Sequence, residues 1–192
     1  ITIFVDSEKK NVIHVAKGKD ASTWEKCKEC LEAQGGNADN VTEVCMDMSP
    51  AFIKGASEYF PDAAITFDKF HVIQEANKTV DAVRRNERKS CAELKNTRYI
   101  WLKNEKNLTK KQKDMLDKLK DSELDTAKAY RMSLCLQEIY QYPAQIAPMV
   151  LEDWIQWGLR CRLESMVELA KTLRSHFDGV VRRFQSKLNN GI

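Results

Sequence analysis

Two short apolar runs each deliver an aspartate just before a helix begins: Val44-Cys45-Met46-Asp47, followed by Met48-Ser49-Pro50, and Ala64-Ile65-Thr66-Phe67-Asp68, followed by Lys69-Phe70-His71. A carboxylate at the carboxyl end of a buried strand is where an open α/β sheet places its chemistry, because the loop beyond it leaves room for metal and substrate. Two such ends in succession suggest an active site. Ser49 and Pro50 already offer an N-cap and a first-turn proline to the next helix, which leaves the Asp47 carboxylate for another task. Asp68 and His71 stand three apart at a helix start and share one face. Asp68 is equally suited to cap the helix that starts at Lys69. His14 and His176 have no such constellation around them.

The elements that position these residues follow from the apolar pattern. Ile1 to Val5 and Asn11 to Ala16 are β-rich runs around the polar Asp6-Ser7-Glu8-Lys9-Lys10, and they read as a hairpin. Ser22-Thr23-Trp24-Glu25 has the capping-box pattern ahead of a helix that stops at Gln34-Gly35-Gly36. Val41 to Met46 is a strand, the helix from Pro50 runs to about Tyr59, and Pro61-Asp62 turns the chain into the strand Ala64 to Phe67. From Lys69 the pattern is helical, with Phe70, Ile73, Ala76, Val80 and Val83 on one face. Thr109-Lys110-Lys111-Gln112 is a second capping box, and Ser122-Glu123-Leu124-Asp125 resembles a third. Pro143 and Pro148 interrupt the next helix. A further one carries Trp154, Trp157, Leu159 and Leu163, and the last runs through Met166 and Phe177 up to Asp178-Gly179.

A chain of 192 residues with 43% hydrophobic content can bury one core and a smaller bundle. No apolar run approaches the roughly 20 residues of a membrane helix, so the chain reads as cytoplasmic. It opens directly on the apolar Ile1-Thr2-Ile3-Phe4-Val5, which suggests a piece of a larger protein. The net charge of +3 is unevenly spread: residues 84–113 hold 11 Lys and Arg against 3 Asp and Glu, whereas residues 1–83 hold 9 against 14. Such a segment is either a phosphate-contacting surface or a solvated helix face. Six scattered cysteines read as reduced thiols. Cys27 and Cys30 have C-x-x-C spacing, but no second pair follows at a zinc-finger distance.

In order and spacing, Val44 to Phe52, Phe60-Pro61-Asp62-Ala63, Phe67 to Val72 and Val83-Arg84-Arg85 resemble the ISL-three family of bacterial insertion-sequence transposases, with a DDE-type ribonuclease H-like core. Arg98-Tyr99-Ile100-Trp101-Leu102-Lys103-Asn104 and Leu188-Asn189-Asn190-Gly191 look like that family's helical insertion and its exit. The resemblance implies an α/β fold with a partial ribonuclease H-like mixed sheet and flanking helices in residues 1–85. An all-helical insertion would occupy 86–175, and 176–192 would lead back towards a helix bearing the catalytic glutamate. It implies two-metal DNA strand cleavage and transfer with Mg²⁺ or Mn²⁺, in which Asp47 matches the second catalytic aspartate. Asp68 and His71 match a supporting Asp-x-x-His signature, with His71 orienting a phosphate or bonding a carboxylate, or else packed at the core edge.

Double-stranded DNA, as transposon ends and target, is the implied partner, with Arg84, Arg85, Arg88, Lys89, Arg182 and Arg183 as phosphate contacts. No membrane is involved, and a homo-oligomer is implied. The first strand of the core, with the first catalytic aspartate, is expected to precede Ile1. Asp6 is the alternative for that aspartate but sits where a hairpin turn belongs, and Glu164 and Glu168 read as solvated helix-face residues rather than substitutes for the glutamate. Tyr99 and Trp101 are candidates for base stacking or for core packing. Two other function classes fit the same residues: a non-catalytic nucleic-acid-binding module, and a helical protein-interaction scaffold built on the tryptophan-rich 151–177.

Overall fold

The computed structural model describes residues 1–186 and 188, so Asn189, Asn190 and Gly191 of the exit motif lie outside the described residues. In chain order the elements are β1 (Thr2–Asp6), β2 (Asn11–Ala16), α1 (Ser22–Ala33), β3 (Glu43–Met46), α2 (Pro50–Tyr59), β4 (Ala64–Phe67), α3 (Lys69–Glu87), α4 (Arg98–Leu102), α5 (Lys110–Leu119), α6 (Asp125–Ile139), α7 (Ala147–Arg160), α8 (Glu164–Ser175) and α9 (Phe177–Gln185). The described residues are therefore α/β and mostly helical. Among them no helix is long and apolar enough to cross a membrane. The chain divides into two compact units, one of Ile1–Val72 with the segment from His176, the other of Ile73–Ser175, and the division falls inside α3.

In the first unit β1 and β2 pair antiparallel, Thr2 opposite Ala16 and Asp6 opposite Asn11, with an irregularity between Phe4 and Val5. Asp6 makes the turn: its Oδ1 accepts from the Glu8 and Lys9 amides at 2.9 and 3.0 Å. One face of the hairpin meets α1 through Phe4, whose ring stands edge-on to Trp24 at 5.0 Å. The other face leaves Ile3 and its partner Val15 more than half exposed, with Val12 beside them. Trp24 also meets Phe52 and Phe60 edge-on, joining α1 to α2 and its C-terminal end. Gly55 permits this approach, since a Cβ there would lie 2.3 Å from Trp24 Cδ1.

Among the described residues the strands form two separate two-stranded sheets, β1 with β2 and β3 with β4. β3 and β4 pair parallel, Glu43 opposite Ala64 through Met46 opposite Phe67, with α2 as the crossover. Helix α9 packs on β4, where Gly179 lies so close to the Phe67 ring that a Cβ would meet it at 2.6 Å. Gly179 is thus a contact point inside α9, not the helix stop that its type suggested. The capping box at Ser22 also fails to form. Asp20 does the work, its Oδ1 accepting from the Ser22 amide at 3.0 Å and hydroxyl at 2.5 Å.

The second unit is helical, with Val80, Leu94, Trp101, Met132, Leu151 and Met166 in its core. The capping box at Thr109 forms as expected. The one expected at Ser122 does not, since α6 starts after Leu124 and has no side-chain cap of its own. Glu87 at the end of α3 supplies it: one carboxylate oxygen accepts from the Asp125 amide at 2.9 Å, the other from the Thr126 amide at 2.8 Å and hydroxyl at 2.6 Å. Leu163 falls beyond α7, in a turn that Arg162 makes with a left-handed φ of 64°. Helices α7 and α8 touch closely where Gly158 faces Ala170.

Candidate active site and nucleic-acid contacts

The parallel register places Asp47 and Asp68 one residue beyond the paired Met46 and Phe67. The Asp68 amide donates to Met46 O at 3.0 Å, which extends the ladder by one step. Backbones of adjacent strands run about 4.8 Å apart, so the two aspartates leave the sheet side by side at its carboxyl end. Each aspartate follows directly on a four-residue strand, and the parallel register sets the two at the same height.

Their environments differ. Asp47 is half-buried, and its Oδ1 accepts from the Ser49 amide at 2.8 Å, while the Ser49 side chain makes no cap bond. The division of labour inferred from Ser49 and Pro50 is therefore reversed: Asp47 closes the turn before α2, and does so with one of its two oxygens. Asp68 is only 5% exposed, and its Oδ2 lies 3.2 Å from His71 Nδ1. A carboxylate at Nδ1 holds a proton on that nitrogen and leaves Nε2 to face other groups. Phe70, 65% exposed, stands edge-on to the His71 ring.

Further charges gather on the same sheet. Thr66 donates to the Glu43 carboxylate. Arg182 donates to Ile65 O on β4, and Arg183 to Ser186 O at 3.0 Å, so both are engaged in holding α9 and its exit. Burial first, then the negative charge of Asp68, pushes the Cys45 thiol up to about 11 against the opposing pull of Arg183, which leaves it a poor nucleophile. Burial likewise pushes Cys27 up to about 12. None of the six cysteines is in a disulfide. Among the described residues no three His, Cys, Asp or Glu side chains converge as a metal site. Asp6 belongs to its turn. Glu164 and Glu168 are exposed, and Glu168 pairs with Lys171 at 2.7 Å.

The basic residues of the second unit are organised by a residue the sequence reading did not single out. Asp81 is 5% exposed, and its Oδ1 accepts from Arg84 Nε and Nη2 at 2.9 and 2.7 Å. Its Oδ2 meets Arg85 at 2.8 Å and Arg98 at 3.5 Å. Burial would raise the Asp81 carboxyl, but the bonds from Arg84 and the charges of all three arginines hold it below its ordinary value. Arg84 is itself buried, whereas Arg85, Arg88 and Lys89 are exposed. The spacing of Asp81 to Arg84 and Arg85, i to i+3 and i+4 on one helix, was the available signal.

A transposase family model of the ISL-three type matches residues 1–192. The chain belongs to this transposase family. Among curated proteins it is similar to the transposase for insertion sequence element IS1557 of Mycobacterium tuberculosis (strain CDC 1551 / Oshkosh), 24% identical over 220 residues that cover 100% of this chain and 49% of that protein. The transposase for insertion sequence element IS1001 of Bordetella parapertussis is 25% identical over 201 residues, with the same coverage of 100% and 49%. The chain thus spans about half the length of these relatives. No solved structure matches it.

Proposed function

We propose that this chain supplies Asp47 to the active site of a DDE-type insertion-sequence transposase that cleaves and joins DNA strands. The observation that carries the reading is the parallel β3–β4 pair that sets Asp47 beside the Asp68–His71 couple, in a chain matching a transposase family from end to end. The two-sheet arrangement supports a ribonuclease H-like core: a further strand on the free edge of β1, parallel to β3, would join the hairpin and the β3–β4 pair into one mixed sheet.

Carboxylate oxygens are the hard ligands that Mg²⁺ or Mn²⁺ takes, and Asp47 has one oxygen beyond its turn bond to offer. The described residues alone do not complete a two-ion site. The remaining ligands then come from other parts of the full-length transposase, where the ions would activate the attacking hydroxyl and stabilise the leaving oxygen. Asp68 orients the His71 ring through Nδ1, and the exposed Arg85, Arg88 and Lys89 take phosphates of double-stranded DNA. A homo-oligomer is the working form.

In the full-length protein, Asp47→Asn abolishes transposition in a plasmid excision assay and leaves DNA binding intact. The loss exceeds the roughly 10–100-fold that removal of a partner beside a metal ligand brings. Unchanged transposition would reduce the protein to a binding module. Incubated with Mg²⁺ or Mn²⁺, residues 1–192 alone cut no DNA, and Asp47-dependent cleavage by them would overturn the account of the missing ligands.

A further inference from the structure

Tyr99 and Trp101 stand two apart on α4, and the structure separates them. Trp101 is 2% exposed, donates to Thr97 Oγ1 at 3.2 Å and meets Tyr130 edge-on, so it is core. Tyr99 is 56% exposed. A single exposed aromatic is ordinary, but this one has two cations against its ring, Arg98 Cζ at 5.9 Å and Lys103 Nζ at 5.3 Å from the centroid. Arg98 is also one of the three arginines held by the buried Asp81. With one carboxylate for three guanidiniums, the cluster keeps two positive charges in excess. Arg85 and Arg98 are tethered to the buried acid while 66% and 52% of their side chains remain exposed.

We propose that Tyr99 is a stacking platform for an unpaired DNA base, with Arg98, Arg85 and Lys103 taking the phosphates beside it. This rests on the reading of the chain as a DNA-handling transposase and adds the form of DNA it handles. An acidic peptide would use the cations and leave the ring idle. A nucleotide uses both, because its base has a π-face and its phosphate an anion within one residue's reach. Bases within a duplex are stacked on their neighbours and do not reach an external ring, so the ligand is a single strand, or a duplex end whose last pair has opened. Anchoring at Asp81 removes part of the ordering cost that free arginine side chains would bear on binding. Stacking of this kind tolerates any base.

The test titrates the full-length protein with a 2-aminopurine-labelled single strand and with the same sequence as a closed duplex. Tyr99→Ala weakens single-strand binding by roughly 5- to 150-fold, the range for loss of one base–aromatic stack, and abolishes the quenching of 2-aminopurine. Duplex affinity is unchanged. Tyr99→Phe and Tyr99→Trp keep both the affinity and the quenching. Wild-type single-strand affinity in Tyr99→Ala would overturn the proposal, as would an equal loss on single strand and duplex. A wild-type protein that binds neither DNA would instead overturn the transposase reading on which the proposal stands.

Discussion

Asp81 shows how much of the second unit turns on one buried carboxylate. Removing its charge leaves Arg84, 4% exposed, without a counterion, and an uncompensated buried charge costs about 3–5 kcal/mol. Asp81→Asn is therefore expected to lower the unfolding free energy by about 3 kcal/mol in urea titrations near neutral pH. The pH dependence has a definite sign. A carboxyl held low in the fold stabilises fully above about pH 3.9, its ordinary unfolded value, and that contribution disappears as the pH falls through the folded value. The melting temperatures of wild type and Asp81→Asn should accordingly differ most near neutrality and converge in acid. The places of Asp47 and Asp68 just beyond two strands, with His71 in the first turn of the next helix, were legible from the apolar runs before them. The roles of Ser49 and Asp47 were not, since both side chains can close that turn and only the backbone path decides between them.

At the scale of elements, two joints carry the clearest expectations. Gly55→Ala in α2 gains about 1 kcal/mol in helix propensity but places a methyl 2.3 Å from Trp24 Cδ1 and 3.1 Å from the Ala21 Cα. Overpacking costs about 1–3 kcal/mol, and the ring has little freedom to withdraw, being set edge-on between Phe4, Phe52 and Phe60. Packing wins, and thermal unfolding should register a net loss. Glu87→Ala removes the acceptors at the start of α6, where a lost cap costs about 1–2 kcal/mol. Amide exchange at Asp125 and Thr126 should accelerate, with partial recovery in Glu87→Gln. Most helices and the strands β1 to β4 followed from periodicity and turn residues. The cap of α6 did not, because its partner lies 38 residues away from Asp125, and Gly179 did not, because a glycine that ends a helix and one that admits a neighbour look alike in sequence.

For the molecule as a whole, the uneven charge puts the proposed contact with DNA to a quantitative test. Each phosphate neutralised contributes a slope of about 0.9 to the fall of log K with log salt. Replacing Arg85, Arg88 and Lys89 by alanine should flatten that slope by about 2–3 in duplex titrations, while wild-type slope in the triple variant would assign these residues to the solvated face instead. The antiparallel hairpin was legible from its polar turn, whereas the parallel pairing of β3 with β4 was not, since a local pattern does not name a distant partner. The hairpin has a practical outcome for anyone handling the chain. Among the described residues the hairpin pairs with no further strand, and it carries the half-exposed Ile3, Val12 and Val15 on one face. Open edges next to apolar faces invite strand addition between copies. Concentrated solutions of residues 1–192 should scatter light increasingly over time, and a Val15→Lys variant, placing a charge in the middle of that face, should stay clear for longer.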